Sequence, residues 1–188
     1  VAPVPTSETR TLQAVGARRG AAGTPTSREL VERLRAESGK TEALVALFDA
    51  RAIGGERHLL SAWAHLGRAR SRGESRLRVR GAELALWVAG DDQLPRALQK
   101  VGFGEGTEGF VLVVEKPREI APLLEAFGLV QDDTVYPRSP DAGTLERLGI
   151  SADERAAVPP SAWEGLVLER VALVELSAAH GGPATPKH

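Results

Sequence analysis

The chain contains no cysteine in 188 residues. Disulfides, thiolate zinc sites and cysteine nucleophiles are therefore excluded, and an intracellular setting fits that absence. Methionine is missing too, even at position 1. That points to a GTG start read literally as Val1, or to a processed or trimmed N-terminus. No stretch reaches the roughly 18 consecutive apolar residues of a membrane helix. The N-terminus lacks the apolar core of about 7–15 residues that marks a signal peptide. Together these predict a cytoplasmic chain with no membrane partner. Charge of one sign is also missing: the formal net charge is −1, so any contact with nucleic acid must come from a local patch. No Gly-x-Ser-x-Gly elbow, HExxH, DFG or HRD element occurs. The run Gly102-Phe103-Gly104-Glu105-Gly106 follows an expected helix rather than a strand and lacks a following Lys-Ser/Thr pair, so it fails as a phosphate loop. No catalytic residue and no cofactor are expected, nor is a small-molecule substrate.

What is present is an ordinary globular composition, 42% apolar and 26% charged, with enough apolar sequence for one core. Arginine dominates lysine, which suggests a GC-rich genome, and many ion-pairing residues are compatible with a thermophile. Residues 1–25, rich in Pro, Gly, Thr and Ala, read as a flexible tail. Residues 26–178 read as a single domain and 179–188 as a second flexible tail.

Within that domain, Thr26-Ser27-Arg28-Glu29 forms a capping box that opens a helix over about residues 27–38. The segment 42–52 reads as a buried strand broken by Gly54-Gly55. Leu59, Leu60, Trp63 and Leu66 then recur at helical spacing over 56–70. Leu77 and Val79 alternate with Arg76, Arg78 and Arg80, suggesting a short edge strand, and Leu84–Val88 reads as a buried strand. A helix over 93–101 ending at Gly102 precedes the apolar strand 109–115, which Lys116-Pro117 ends. Helices follow over 118–127 and 141–148, with 131–139 as a loop or short extended segment between them. Ser151 opens a further capping box, Ser161 a third, and the terminal helix covers about 161–178. The class is α/β in the mixed α+β sense: one central mixed sheet with helices packed over it.

The strongest chemical signal is a run of arginines: Arg68, Arg70, Arg72, Arg76, Arg78 and Arg80, opposed locally only by Glu74. Guanidinium groups bind phosphate bidentately and stack on bases. On a strand, Arg76, Arg78 and Arg80 would share one face. The blander reading is a solvated face or a guarded sheet edge. His58 and His65 lie seven apart, but no third ligand at suitable spacing makes a metal site of them. His58 reads as a packed or capping residue. Trp63 and Trp87 read as core, while Trp163 at a helix start is less fixed. The C-terminal segment is apolar on more than one side, with Leu166, Val167, Leu168, Val171, Leu173, Val174 and Leu176. Such a helix is either covered by its own domain or covers a partner, and Leu166, Leu168, Val171 and Leu173 are the candidate partner contacts.

The order of several pieces resembles one family. They are Phe48-Asp49-Ala50 at a strand end; Gly55, Glu56, His58 and Leu59 at a helix start; and Glu83 leading an apolar run into Gly90. Gln93 before a helix, Val101-Gly102, Leu148-Gly149-Ile150 and Leu168-Glu169-Arg170-Val171-Ala172-Leu173 complete the set. Over about residues 42–177 the chain is similar to the kinase-binding regulatory subunit of the KEOPS complex, the PRPK-binding protein family. The resemblance implies a non-catalytic adaptor that binds the kinase-like ATPase subunit at its N-lobe and supports it, within a complex that makes threonylcarbamoyladenosine on tRNA. Archaeal members also bind tRNA at the single-stranded CCA 3′ end. A groove from the Arg68–Arg80 cluster to Gln93 and Arg96 is where that end would sit, by stacking and basic contacts. Family members often carry Arg and Ile on either side of the residue matching Gln93. Here those positions are Asp92 and Leu94; an acid there opposes phosphate, and Arg96 is the substitute. Two alternatives stand beside this reading: a protein-only kinase adaptor, and a small α/β enzyme using His58 or His65.

Overall fold

The computed structural model describes residues 11–20, 25–40, 42–115 and 118–180. Its centre is a four-stranded sheet: β1 (Leu12–Arg19), β2 (Val45–Asp49), β3 (Gly109–Glu115) and β4 (Leu129–Gln131), in the order β2-β3-β1-β4. Every pairing is antiparallel, so the single sheet is as expected but not of mixed direction. β3 lies between β2 and β1, pairing Leu112 with Leu47 on one side and Val15 on the other. Its run Phe110-Val111-Leu112-Val113-Val114 is wholly buried because both faces of the sheet are covered.

Side chains alternate across a strand, so each strand feeds two cores. Val45, Leu47, Phe110, Leu112 and Val114 pack with α1 (Ser27–Lys40) and α5 (Ile120–Phe127). Ala46, Phe48, Val111 and Val113 face the larger core. That side holds α2 (Glu56–Ser71), α3 (Arg80–Ala89), α4 (Leu94–Val101), α6 (Ala142–Arg147) and α8 (Trp163–His180). The short α7 (Ala152–Ala156) carries the expected capping box between Ser151 and Glu154. At α1, the Glu29 amide donates to Thr26 Oγ1 at 3.2 Å and the Thr26 amide to Glu29 Oε2 at 2.7 Å, so that box also forms.

Three expectations are corrected. First, Leu12–Arg19 is no tail but an internal strand of the sheet. Its small residues give little strand propensity alone; the pairing comes from β3 and β4, distant in sequence. The rest of the expected tails, residues 1–10, 21–24 and 181–188, lies outside the described residues, as does the stop at Lys116-Pro117. Second, Leu84–Val88 is helical, and no edge strand forms at 76–80. Every residue from Glu83 to Ala89 is buried, so the helix shows no polar face and hence no 3.6-residue period to read. Third, Ser161 does not cap: α8 follows a 3-10 turn over Pro160–Ala162, and no side chain caps that turn. The expected loop over 131–139 contains the end of β4 and a 3-10 turn at Asp133–Val135.

Two glycines set the larger helical layer. Gly55 opens α2 at φ 107°, and a Cβ there would meet Arg138 O at 2.8 Å. Gly81, in the first turn of α3, lies flat on β2; a Cβ there would stand 2.1 Å from Val45 O.

Candidate functional site

His58 is fully buried at the start of α2. The Gly54 amide donates to its Nδ1 at 3.0 Å, and Nε2 meets Val88 O at 2.9 Å. A carbonyl only accepts, so the proton sits on Nε2. Burial pushes the imidazole down to about 4, against a smaller opposing pull from the Val88 carbonyl. The residue is a neutral pin between α2 and the end of α3, with neither nitrogen left for chemistry. His65 stacks on Trp87 with ring centres 5.4 Å apart, and its Nδ1 lies 2.7 Å from Glu175 Oε2. Among the described residues no three His, Asp or Glu side chains converge as metal ligands.

The arginine run proves to be two populations. Arg70 donates to Glu83, itself buried, at 2.5 Å; Ser75 Oγ and the Arg76 amide complete that carboxylate's shell at 3.0 and 2.7 Å. Glu83 thereby organises the whole α2–α3 connection. Arg80 forks onto Glu115 at the end of β3, with 2.9 Å from Nη2 to Oε1; the side chains are 11% and 2% exposed. Arg72 bridges Glu74 and Glu175, at 2.8 and 2.7 Å, and Arg68 lies 3.8 Å from Glu175. Hydrogen bonding from Arg72, with a lesser one from His65, holds the Glu175 carboxyl below its usual range despite partial desolvation. Arg76 reaches only a carbonyl, Val174 O at 3.3 Å, and exposed Arg78 has no hydrogen-bonding or charged partner among the described residues.

Gln93 and Arg96 do not join this cluster. Arg80 begins α3, whereas Gln93 lies beyond its far end at the position before α4, where its side chain makes no capping hydrogen bond. A ten-residue helix, about 15 Å long, separates them. Arg96 is tied to Asp91 at 2.9 Å and Asp92 at 3.0 Å, so Asp92 neutralises the expected substitute. Burial raises the Asp91 carboxyl, but hydrogen bonds from Arg96, the Gln93 amide and Lys100 outweigh it and hold it at about 2. Gln93 and Arg96 thus stand at the opposite end of α3 from Arg80, and Arg96 is paired with acids there.

The partner candidates also divide. Val171 is fully buried, aligned with Val167 and Val174 on the core side of α8. Leu166 and Leu168 are half-buried, and Leu166 packs against the same core. Leu173 is 40% exposed, and Leu176, one turn on, is 56% exposed. Ion pairs fasten α8 from several sides: Arg57–Glu164 at 2.6 Å, Arg170–Glu154, and the Glu175 cluster. Trp163 packs against the core and donates to Arg155 O at 3.4 Å. Trp87 is buried and Trp63 packs against the core, in keeping with the expectation that both are core residues.

Sequence reasoning missed a cleft of about 550 Å³ beside β1, where Arg18, Arg51, Glu108, Tyr136 and Asp141 meet. Burial, with Glu56 nearby, pushes the Tyr136 phenol up to about 12. Its two arginines and two carboxylates balance, so the cleft selects no sign of ligand. No local pattern announces it, because its walls come from four separate stretches of chain.

Among the described residues no helix is long and apolar enough to cross a membrane. Comparison with protein-family models and with curated proteins finds no match.

Proposed function

We propose that this chain is a non-catalytic, cytoplasmic adaptor of the kind its motif order resembles. It binds and supports the kinase-like ATPase subunit of a KEOPS-type complex acting in threonylcarbamoyladenosine modification of tRNA. The observation that carries this reading is the outer side of α8. A helix already anchored by Val167, Val171 and Val174 presents Leu173 and Leu176 outward. Exposed leucines in register on a rigid helix suit the apolar centre of a protein interface. Mixing the purified chain with the kinase-like ATPase subunit should give a stoichiometric complex in calorimetry. Leu173→Glu with Leu176→Glu should weaken it by at least ~30-fold, the effect of losing interface hot spots, with Tm unchanged. No complex with the wild-type chain rejects the adaptor; undiminished binding by the double variant rejects this face.

Recruitment of tRNA is the second reading, and Arg76 and Arg78 favour it because neither is tied to a carboxylate. With Arg70, Arg72, Arg80 and Arg96 all paired, the contact is small. Affinity for tRNA, with or without its CCA end, should fall with salt by about two phosphate contacts' worth, a log–log slope near −1.5. A slope near zero would leave the protein-only adaptor. No observation favours an enzyme working through His58 or His65.

A further inference from the structure

β4 covers only one half of β1. It pairs with Ala17, Arg18 and Arg19, and just beyond it the Asp132 amide donates to Gly16 O at 2.9 Å. Along an antiparallel strand the N–H and C=O of successive residues turn alternately to the two sides. Gly16 turns toward β4, so Ala14 and Leu12 turn the same way. The bonding of β3 agrees. The Glu115 amide donates to Leu44 O beside β2, which leaves Val114 and Leu112 to bond Gln13 and Val15. The backbone groups of Leu12 and Ala14 therefore meet no strand among the described residues. An internal strand of the sheet has an open edge over its first half.

Two features distinguish this edge from an idle one. Open edges are ordinarily guarded by charge, proline or a bulge. Leu12-Gln13-Ala14-Val15 holds neither charge nor proline, and its register with β3 runs without a bulge. Beside it, Leu12 and Ala14 form one wall of a cleft of about 240 Å³, bounded by Glu56, Leu59, Leu60 and Tyr136. That is below the roughly 300 Å³ of ordinary small-molecule pockets and suits a single side chain. Leu60 is 41% exposed. Glu56, the one charged residue lining the cleft, is exposed and has no ion-pair partner among the described residues.

We propose that the Leu12–Val15 edge takes an extended peptide of a partner protein as an added antiparallel strand, with an apolar side chain in the cleft and a lysine or arginine against Glu56. The free ladder groups call for an extended backbone, the cleft for an apolar side chain and Glu56 for a cation. Every pairing already in the sheet is antiparallel. In that geometry opposite residues exchange both bonds and project to the same face. The apolar and basic residues of the peptide therefore alternate with others, and their own amides are the ones that bond Leu12 and Ala14. A second copy of this chain fits less well. Two-fold pairing of β1 with itself would gather two Glu56 carboxylates on one face of the seam, and like charges facing across a strand pair destabilise it. The edge is not part of α8, so the adaptor reading and the added strand stand or fall separately.

The test adds a blocked heptapeptide, Thr-Lys-Thr-Leu-Thr-Lys-Thr, to the full chain and follows amide shifts and hydrogen exchange by NMR. The amides of Leu12 and Ala14 should shift saturably and exchange about tenfold or more slowly in the bound state. N-methylation of the lysine and leucine amides removes the donors that face β1 and should weaken binding about tenfold or more. N-methylation of the threonine amides, which face solvent, should leave binding within about twofold. Glu56→Lys should weaken binding about fivefold, and glutamates in place of the peptide lysines should restore it. No saturable shift at Leu12 and Ala14 overturns the proposal. Equal binding by the two N-methylated peptides overturns the added strand, and undiminished binding by Glu56→Lys overturns the basic partner. If exchange at Leu12 and Ala14 slows with protein concentration alone, the occupant is a second copy and the peptide reading falls.

Discussion

Arg80 and Arg78 stand two residues apart, yet the first belongs to the interior and the second to solvent. Arg80 closes a bidentate pair with Glu115 across the end of the sheet. Arg78 touches no carboxylate among the described residues. The same contrast separates Arg70, locked to Glu83, from Arg76, which reaches only a carbonyl. A dense run of basic residues is therefore a poor measure of surface charge. Four of the six, Arg68, Arg70, Arg72 and Arg80, are paired with carboxylates, and the electrostatic surface is what they leave behind.

The contrast is broken most forcefully by Arg80→Ala. Glu115 would remain buried without its fork, and unfolding in denaturant should show a loss of about 3–5 kcal/mol. Arg78→Ala, by the same measurement, should leave the midpoint unchanged; equal losses from the two variants would erase the distinction. His58 sharpens it on the pH axis. Its pKa falls from an unfolded value near 6.5 to about 4 in the fold. The unfolded chain therefore binds more protons between those values, and stability rises with pH across that window. It is complete above about pH 6.5 and declines as pH falls toward 4, by about 3 kcal/mol. His58→Gln should flatten that part of the curve, and a wild-type profile flat between pH 4 and 6.5 would refute the assignment. Below pH 4 the Asp91 carboxyl, lowered to about 2, adds its own loss as it protonates. Glu83→Ala ranks next. It strips partners from Arg70, Ser75 and the Arg76 amide together, and should cost about 1–3 kcal/mol. Because it loosens the α2–α3 connection, proteolysis should cut first between residues 72 and 79; unchanged protection there would show that Glu83 does not organise the loop.

Much of this was legible in the chain. Thr26 and Ser151 announce their helices because a capping box is local chemistry. The helical spacing of Leu59 and Leu66 and the continuous apolar run of β3 were equally plain. α3 was not, because a helix buried on every side loses the polar stripe that marks its period. β1 was not, because its reason for being a strand lies about a hundred residues away. The site suffered from the same distance. The arginines could be named, but Glu115 and Glu175, 35 and 103 residues from Arg80 and Arg72, carry nothing in their own neighbourhoods that reveals the pairing. Val171 was misplaced on α8 because an all-round apolar helix does not declare which side its own core takes.

The position of β1 has a bearing on how the chain is made. Leu12–Arg19 leaves the ribosome well before its neighbours in the sheet, Gly109–Glu115 and Leu129–Gln131. β1 cannot pair until residues 109–131 have emerged, and such long-range pairing slows folding. A chain cut back to residue 25, as a view of that region as dispensable would suggest, would turn β3 from an inner strand into a raw edge. The bared edge would be Phe110-Val111-Leu112-Val113-Val114, a segment of the kind that seeds insoluble aggregates.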